Sequence, residues 1–457
     1  MSVSIFRCLP YALACLSLAV AGAARADDGE RVLMAQPIGY TDVADAFDEG
    51  DPIDVDVHLG YVRESQSGTI QREVVNDDTK DGRTSAHGVR VADHELVRNE
   101  LVFALDVGVW RDVMLFVNMP VVLGEDSELR PPGAGCDAEP TSRACQALLE
   151  PSPEGAAPEP VFALDRPLKS ARRSGLRSVD FGAAWAVTNQ FRSPHLPTWV
   201  LRLSSSISTG RVMHACLEGQ RCDPGIGRGT ANVAVESRWS YRYTAVEPFL
   251  GIKYAYEWVS DGDAVFYPQG KFEGIVDPGP PSVTELTAGA GIIPWEDRAR
   301  HQRFEADVQG TAALVSDGRD YTPLFDALGA SSNAHLRAPN YESVVGSGLH
   351  TPIEFTGITT VQSYARLGVS AALIMQAARY VRFALGVGLS GLTSHLITGA
   401  LPCNTAVSTG DNDSRQGQCM PGIANPAYRP AIDLPGRRFR LSGALSLRLS
   451  ASATGQF

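Results

Sequence analysis

The chain has 457 residues, of which 44% are apolar, with 44 glycines and 29 prolines that mark many turns. Its 40 basic residues are outnumbered by 52 acidic ones, a balance that argues against nucleic acid as a partner. Beyond the N-terminus no stretch offers about 18 uncharged apolar residues, which excludes a helical membrane protein but not a barrel, whose strands need only alternate.

Residues 1–26 read as a secretory leader: Arg7, an apolar run over 9–22, and the small-x-small site Ala24-Arg25-Ala26. The run is too short to cross a bilayer as a helix. In Ala12-Leu13-Ala14-Cys15 the leucine is misplaced for a lipoprotein signal. Cleavage after Ala26 leaves 38 basic against 52 acidic residues, a net charge of −14. Six cysteines then remain, as the local pairs Cys136 and Cys145, Cys216 and Cys222, and Cys403 and Cys419, separated by 9, 6 and 16 positions. A secreted chain oxidises such pairs, and none has the CxxC spacing of thiol redox or thiolate metal sites, so three loop disulfides are expected.

Strand signals begin at 54–61, where Val55, Val57, Leu59 and Tyr61 alternate with Asp54, Asp56 and His58. Two more apolar strands, near 95–109 and 113–122, meet at Trp110-Arg111-Asp112. Strands near 179–189 and 198–209 follow. In the next pair, Val233, Val235, Trp239, Tyr241 and Tyr243 oppose Glu236, Arg238 and Arg242. Their partners Val246, Leu250, Ile252, Tyr254, Tyr256 and Trp258 oppose Glu247, Lys253 and Glu257. Further strands are expected near 283–292, 302–315, 356–375 and 381–390. The twelfth closes the chain: from Phe439 to Leu449 every second residue is apolar or glycine, and the same parity reaches Phe457. Short connections follow the even strands up to the tenth, long ones the odd strands, and all three cysteine pairs fall in long ones.

This terminal strand resembles the closing strand of bacterial outer-membrane β-barrels, whose chains commonly end in Phe as an assembly signal. The resemblance implies an all-β fold: a closed antiparallel transmembrane barrel over 54–457, with short periplasmic turns and long extracellular loops. Twelve strands are expected, or fourteen if 63–94 or 320–350 hides a hairpin. Clustered aromatics toward strand ends match interface girdles. The implied location is the bacterial outer membrane, and the implied partners are its lipids, lipopolysaccharide and the barrel-assembly machinery.

On that fold the polar faces line the lumen: Asp54, Asp56, His58, Arg202, Glu236, Arg238, Arg242, Glu247, Lys253, Glu257, Glu305, Asp307, Arg366, Arg382, Arg440 and Arg448. Residues 27–53 form a periplasmic segment long enough to enter it as a plug, and Asp42, Asp45, Asp48, Glu49 and Asp51 are opposite in sign to the wall arginines. In the seam between the last and first strands, Arg440 and Arg448 are expected to face Asp54, Asp56 and His58. The composition leaves two functions open: a channel for small solutes, including hydrophobic ones entering laterally, or a structural or surface-binding barrel with a filled lumen. No GxSxG, HExxH or P-loop is present, and His94, His195, His214 and His395 have no recognisable catalytic spacing. No enzyme, cofactor or metal is expected. The acidic turns 260–263 and 410–413 read as solvated loops rather than calcium sites.

Overall fold

A computed structural model describes residues 37–48, 51–76, 85–150, 158–266, 276, 279–297, 299–337, 355–403 and 425–457. The expected leader lies outside them. Twelve strands form one closed sheet. The first six are β1 (Val55–Asn76), β2 (Ser85–Trp110), β3 (Val113–Arg130), β4 (Ser178–Thr188), β5 (Thr198–Ser208) and β6 (Thr230–Ser240). The rest are β7 (Val246–Val259), β8 (Val283–Asp297), β9 (Gln302–Val315), β10 (Tyr364–Ala378), β11 (Val381–Leu392) and β12 (Phe439–Gln456). Each pairs antiparallel with its sequence neighbour, and β12 pairs β1 to close the ring. Closure leaves the ring itself without an edge strand.

The period-two pattern sorts side chains between hydrocarbon and lumen. Outward-facing Leu203, Val235, Leu250, Tyr254, Val308, Val369 and Leu385 are about half exposed or more, while the residues between them are covered. Trp110, Trp185, Tyr243, Trp295, Tyr380 and Phe457 form a girdle at the short-turn end, and Tyr61, Tyr256 and Trp258 a second toward the other. On β1 the outward face changes from Val57, Leu59 and Tyr61 to Arg63, Ser65 and Ser67, which marks the edge of the apolar band. A closed sheet with an apolar belt between two girdles satisfies its backbone internally and places its greasy face in lipid. The chain is a β-barrel of the bacterial outer membrane.

Two expectations need correction. Within 63–94 the described residues 63–76 and 85–94 pair with each other, but as extensions of β1 and β2 beyond the apolar band, so twelve strands form the ring among the described residues. The tenth strand starts at Tyr364 rather than 356; only Thr359–Val361 is extended before it, paired with Gly318–Asp320.

The long connections fold over the outer mouth. Short helices α1 (Arg143–Leu148), α2 (Phe325–Gly329), α3 (Ala334–Arg337) and α4 (Pro430–Asp433) pack with Ile70, Ala92, Leu129, Phe162, Phe439 and Leu441 into one apolar core. Arg72 rivets this cap. Its guanidinium pairs with Glu150 and donates to the carbonyls of Ala147 (2.6 Å), Ala431 (2.7 Å) and Arg437 (3.1 Å). Disulfides join Cys136 to Cys145 and Cys216 to Cys222 within it. Cys403 is also disulfide-bonded, while Cys419 lies outside the described residues.

Candidate functional site

Three regions occupy the lumen. At the short-turn end, residues 37–48 press against inward-facing wall residues. Ile38 packs on Phe249 and Ile293, and the Thr41 hydroxyl lies 2.7 Å from Ser240 Oγ, which donates to Glu247. Arg238 donates to the Tyr40 carbonyl at 2.9 Å and lies over its ring. Arg382 pairs with Asp42 at 3.2 Å and Arg192 with Asp45 at 3.0 Å. Of the other acids in this segment, Asp48 and Asp51 form the short hairpin 46–53, and Glu49 lies outside the described residues.

Above this segment lies a chamber of about 440 Å³. Its wall carries the hydroxyls and amides of Ser204, Ser206, Ser208, Thr230, Asn118 and Asn232. Its charged residues are Arg177, Arg202, Arg228, Arg238, Lys253, Asp180, Glu236 and Glu257. Under the cap a second cavity of about 220 Å³ is lined by Leu96, Met213, Tyr321, Phe325, Tyr364 and Ile397 among others. Arg228 stands between the two: it pairs with Glu257 (3.1 Å) in the lower wall and with Asp320 (2.8 Å) in the upper, and Tyr321 Oη donates to its carbonyl.

The remaining wall residues sit in pairs. His58 lies between Asp106 (3.1 Å) and Thr454 (2.8 Å), and Asp56 faces Gln456 and Asp106 in register. Arg242 pairs with Glu296 at 2.5 Å, and Glu305 pairs with Arg303. Arg366 pairs with Glu285 at 3.1 Å. Asp307 lies beside Gly291 where Ile38 packs. Asp54 sits just ahead of β1, its carbonyl accepting from Gly108.

Two seam expectations fail. Arg448 stands opposite Glu64, while His58 and Asp56 stand opposite Thr454 and Gln456. A bulge between Ser442 and Leu445, with Gly443 at φ 60°, reverses the facing of β12. Phe439 and Leu441 therefore point into the cap core, and Arg440 lies on the outer face beside Glu73 at 3.9 Å. Glu64, Arg98, Asp106, Phe116, Arg228, Glu285 and Arg303 were not among the expected wall residues. Arg303 shares the lumen parity of Glu305 and Asp307 on β9, one step before the polar face expected there, and Glu285 stands at the lumen parity of β8, so the alternation of both strands carries the signal.

His94 is the one histidine beside a nucleophile type at the cavity under the cap, with Nε2 3.1 Å from Ser127 Oγ. Burial pulls its pKa down to about 4, and its Nδ1 has no orienting partner among the described residues. A base this weak and unoriented lacks the features of a catalytic dyad. No cluster of metal-ligating residues occurs among the described residues. The 260–263 turn is closed on itself by Asp263 N–H donating to Asp261, and 410–413 lies outside the described residues.

No protein-family model matches the chain, and no curated protein matches it. Solved structures do. A Pseudomonas aeruginosa FadL homologue aligns over 89% of this chain and 90% of its own at 9% identity and TM-score 0.32. An outer membrane channel from Pseudomonas putida F1 aligns over 90% and 100% at 9% identity and TM-score 0.33. The β domain of the Bordetella autotransporter BrkA aligns over 87% and 99% at 8% identity and TM-score 0.33. Similarity at this level transfers no activity or substrate to this chain.

Proposed function

We propose that the protein is a gated, non-enzymatic channel for small solutes. The observation that carries this reading is the polar chamber of the lumen, whose wall residue Arg238 also holds Tyr40 of the 37–48 segment and whose wall residue Arg228 also reaches Asp320 under the cap. A barrel with a purely structural lumen has no use for a solvated, charged space of this size, because interior side chains and loops fill it. The path runs from the cavity under the cap, past Arg228, through the chamber and out past the N-terminal segment, which acts as a plug. The aromatic lining of the upper cavity favours solutes with an apolar part as one version of the same reading.

The surrounding partners are outer-membrane lipids. On this reading lipopolysaccharide lies against the polar outer face of the β1–β2 extension, and the barrel-assembly machinery takes up β12 during biogenesis. Planar-bilayer conductance of the full chain and of a variant lacking 27–51 tests the channel. Rare openings in the first and a small, measurable rise in opening frequency in the second, with the cap still in place, are expected. A folded variant that passes no ions would overturn the channel and leave a surface-binding barrel, while equal conductance in both would remove the plug.

A further inference from the structure

We infer that the chamber is a binding site for a small, hydroxyl-bearing organic anion, held by Arg202 and Lys253. This rests on the channel reading for its consequence in transport but not for its geometry. Across β5, β6, β7 and β8 the pairing register sets Arg202, Glu236, Lys253 and Glu285 side by side in one inward row. Alternating charges in such a row normally neutralise one another. Here both carboxylates are already engaged by other residues. Glu236 is held at both oxygens by Arg238, two positions along its own strand, at 2.8 Å each. Glu285 is held by Arg366 at 3.1 Å.

The other acids of the chamber are also taken. Asp180 accepts from the Ser178 and Ser206 hydroxyls, and Glu257 from Arg228 and Thr230. No described carboxylate lies within ion-pair distance of Arg202 or Lys253, yet both line the same cavity. Adjacent strands stand about 4.8 Å apart, so these two cations, two strands apart, are separated by roughly 10 Å of wall. That span suits a small anion bound between them.

Arg202 is also prepared for this role. Its guanidinium lies flat on the Phe116 ring, 3.5 Å from the centroid. Phe116 reaches it across Gly182, where a Cβ would collide with the ring. Stacking fixes the plane and leaves the N–H edge to meet a carboxylate. Around it Ser204 and Asn232 supply hydrogen-bonding groups, and the Ser206 and Thr230 oxygens, whose protons go to Asp180 and Glu257, can still accept from a ligand hydroxyl, a lining suited to hydroxyls rather than to an apolar chain.

Calorimetry on the full chain in neutral detergent tests the site, with gluconate as the probe and glucose and inorganic phosphate as comparisons. Gluconate is expected to bind and glucose to bind far more weakly. Arg202→Gln and Lys253→Gln should each weaken gluconate roughly tenfold or more, the loss of one charged hydrogen-bond partner. Arg202→Lys, which keeps the charge, should retain part of the affinity and so separates charge from misfolding. Equal binding of glucose, or unchanged affinity in both glutamine variants, overturns the inference. Phosphate binding as tightly as gluconate overturns the part played by the hydroxyl-rich wall. Binding is read without ion flow, so a barrel that binds gluconate but never conducts fails the channel reading alone. A conducting barrel that ignores gluconate fails this one alone.

Discussion

Gly108, on the lumen face of β2, is the residue on which the proposed closure of the lower end rests most directly. An added Cβ there would run into the Asp45 carbonyl oxygen, which is backbone and has no side-chain freedom with which to yield. The same stretch is held by the Asp54 carbonyl accepting from Gly108 N–H at 2.9 Å and by the Arg192–Asp45 pair. Gly108→Ala should therefore lift residues 42–48 off the wall while leaving the strand intact. Gly388, also facing the lumen, has its nearest neighbour at 3.4 Å and accepts a methyl group at ordinary contact. Single-channel recording should show more frequent openings in Gly108→Ala and none beyond wild type in Gly388→Ala. Equal opening frequencies in the two would show that this contact does not hold the plug.

Among the elements, the extended β1–β2–β3 wall carries a titratable group whose burial makes the cap sensitive to acid. His94, on β2 beyond the apolar band, has its pKa lowered from the ordinary 6.5 to about 4 by burial. Between those values the unfolded segment binds more protons than the folded one, so cap stability is complete above pH 6.5 and declines as pH falls toward 4. The ceiling is about 3 kcal/mol, from the size of the shift. Hydrogen exchange of the β2 and β3 amides near Leu96 and Leu129 should show protection falling over that window, and His94→Asn should flatten the profile. Protection independent of pH in the wild type would remove His94 from this role. The strand core was legible because alternation continues without interruption from Val246 to Trp258 and from Val381 to Leu389, where each second residue must meet hydrocarbon. Alternation fails as a guide at Gly443. There one extra residue switches Phe439 and Leu441 from lipid to cap core, and only the pairing with Thr69 and Ser67 of β1 reveals it. The chamber was half legible for a similar reason. Parity placed Arg202, Glu236 and Lys253 on one wall, but that the neighbouring carboxylates are taken from those two cations depends on Arg238 turning back along its own strand to Glu236 and on Arg366 reaching Glu285 across β9.

For the whole molecule, the proposed channel has two closures in series, and series barriers have a testable arithmetic. Flow through a path with two gates is limited by the tighter one, so opening either alone gains little when the other stays shut. The plug is removed by deleting 27–51. The cap is loosened by Arg72→Ala, because Arg72 is almost fully buried and its loss removes the donor to three carbonyls and leaves Glu150 with Arg437 as its cation. Breaking a buried pair so that one charge is left alone costs about 3–5 kcal/mol; the Arg437 pair keeps the loss below that, and limited proteolysis should show the outer loops newly cleaved while the barrel resists. Combined in one chain, the two changes should give a conductance well above the sum of their separate gains. A deletion variant that already conducts as freely as the double variant would mean that the cap leaves an open route past Arg228 and Tyr321. Gains that simply add would mean that solute passes by parallel routes, with the chamber off the main path.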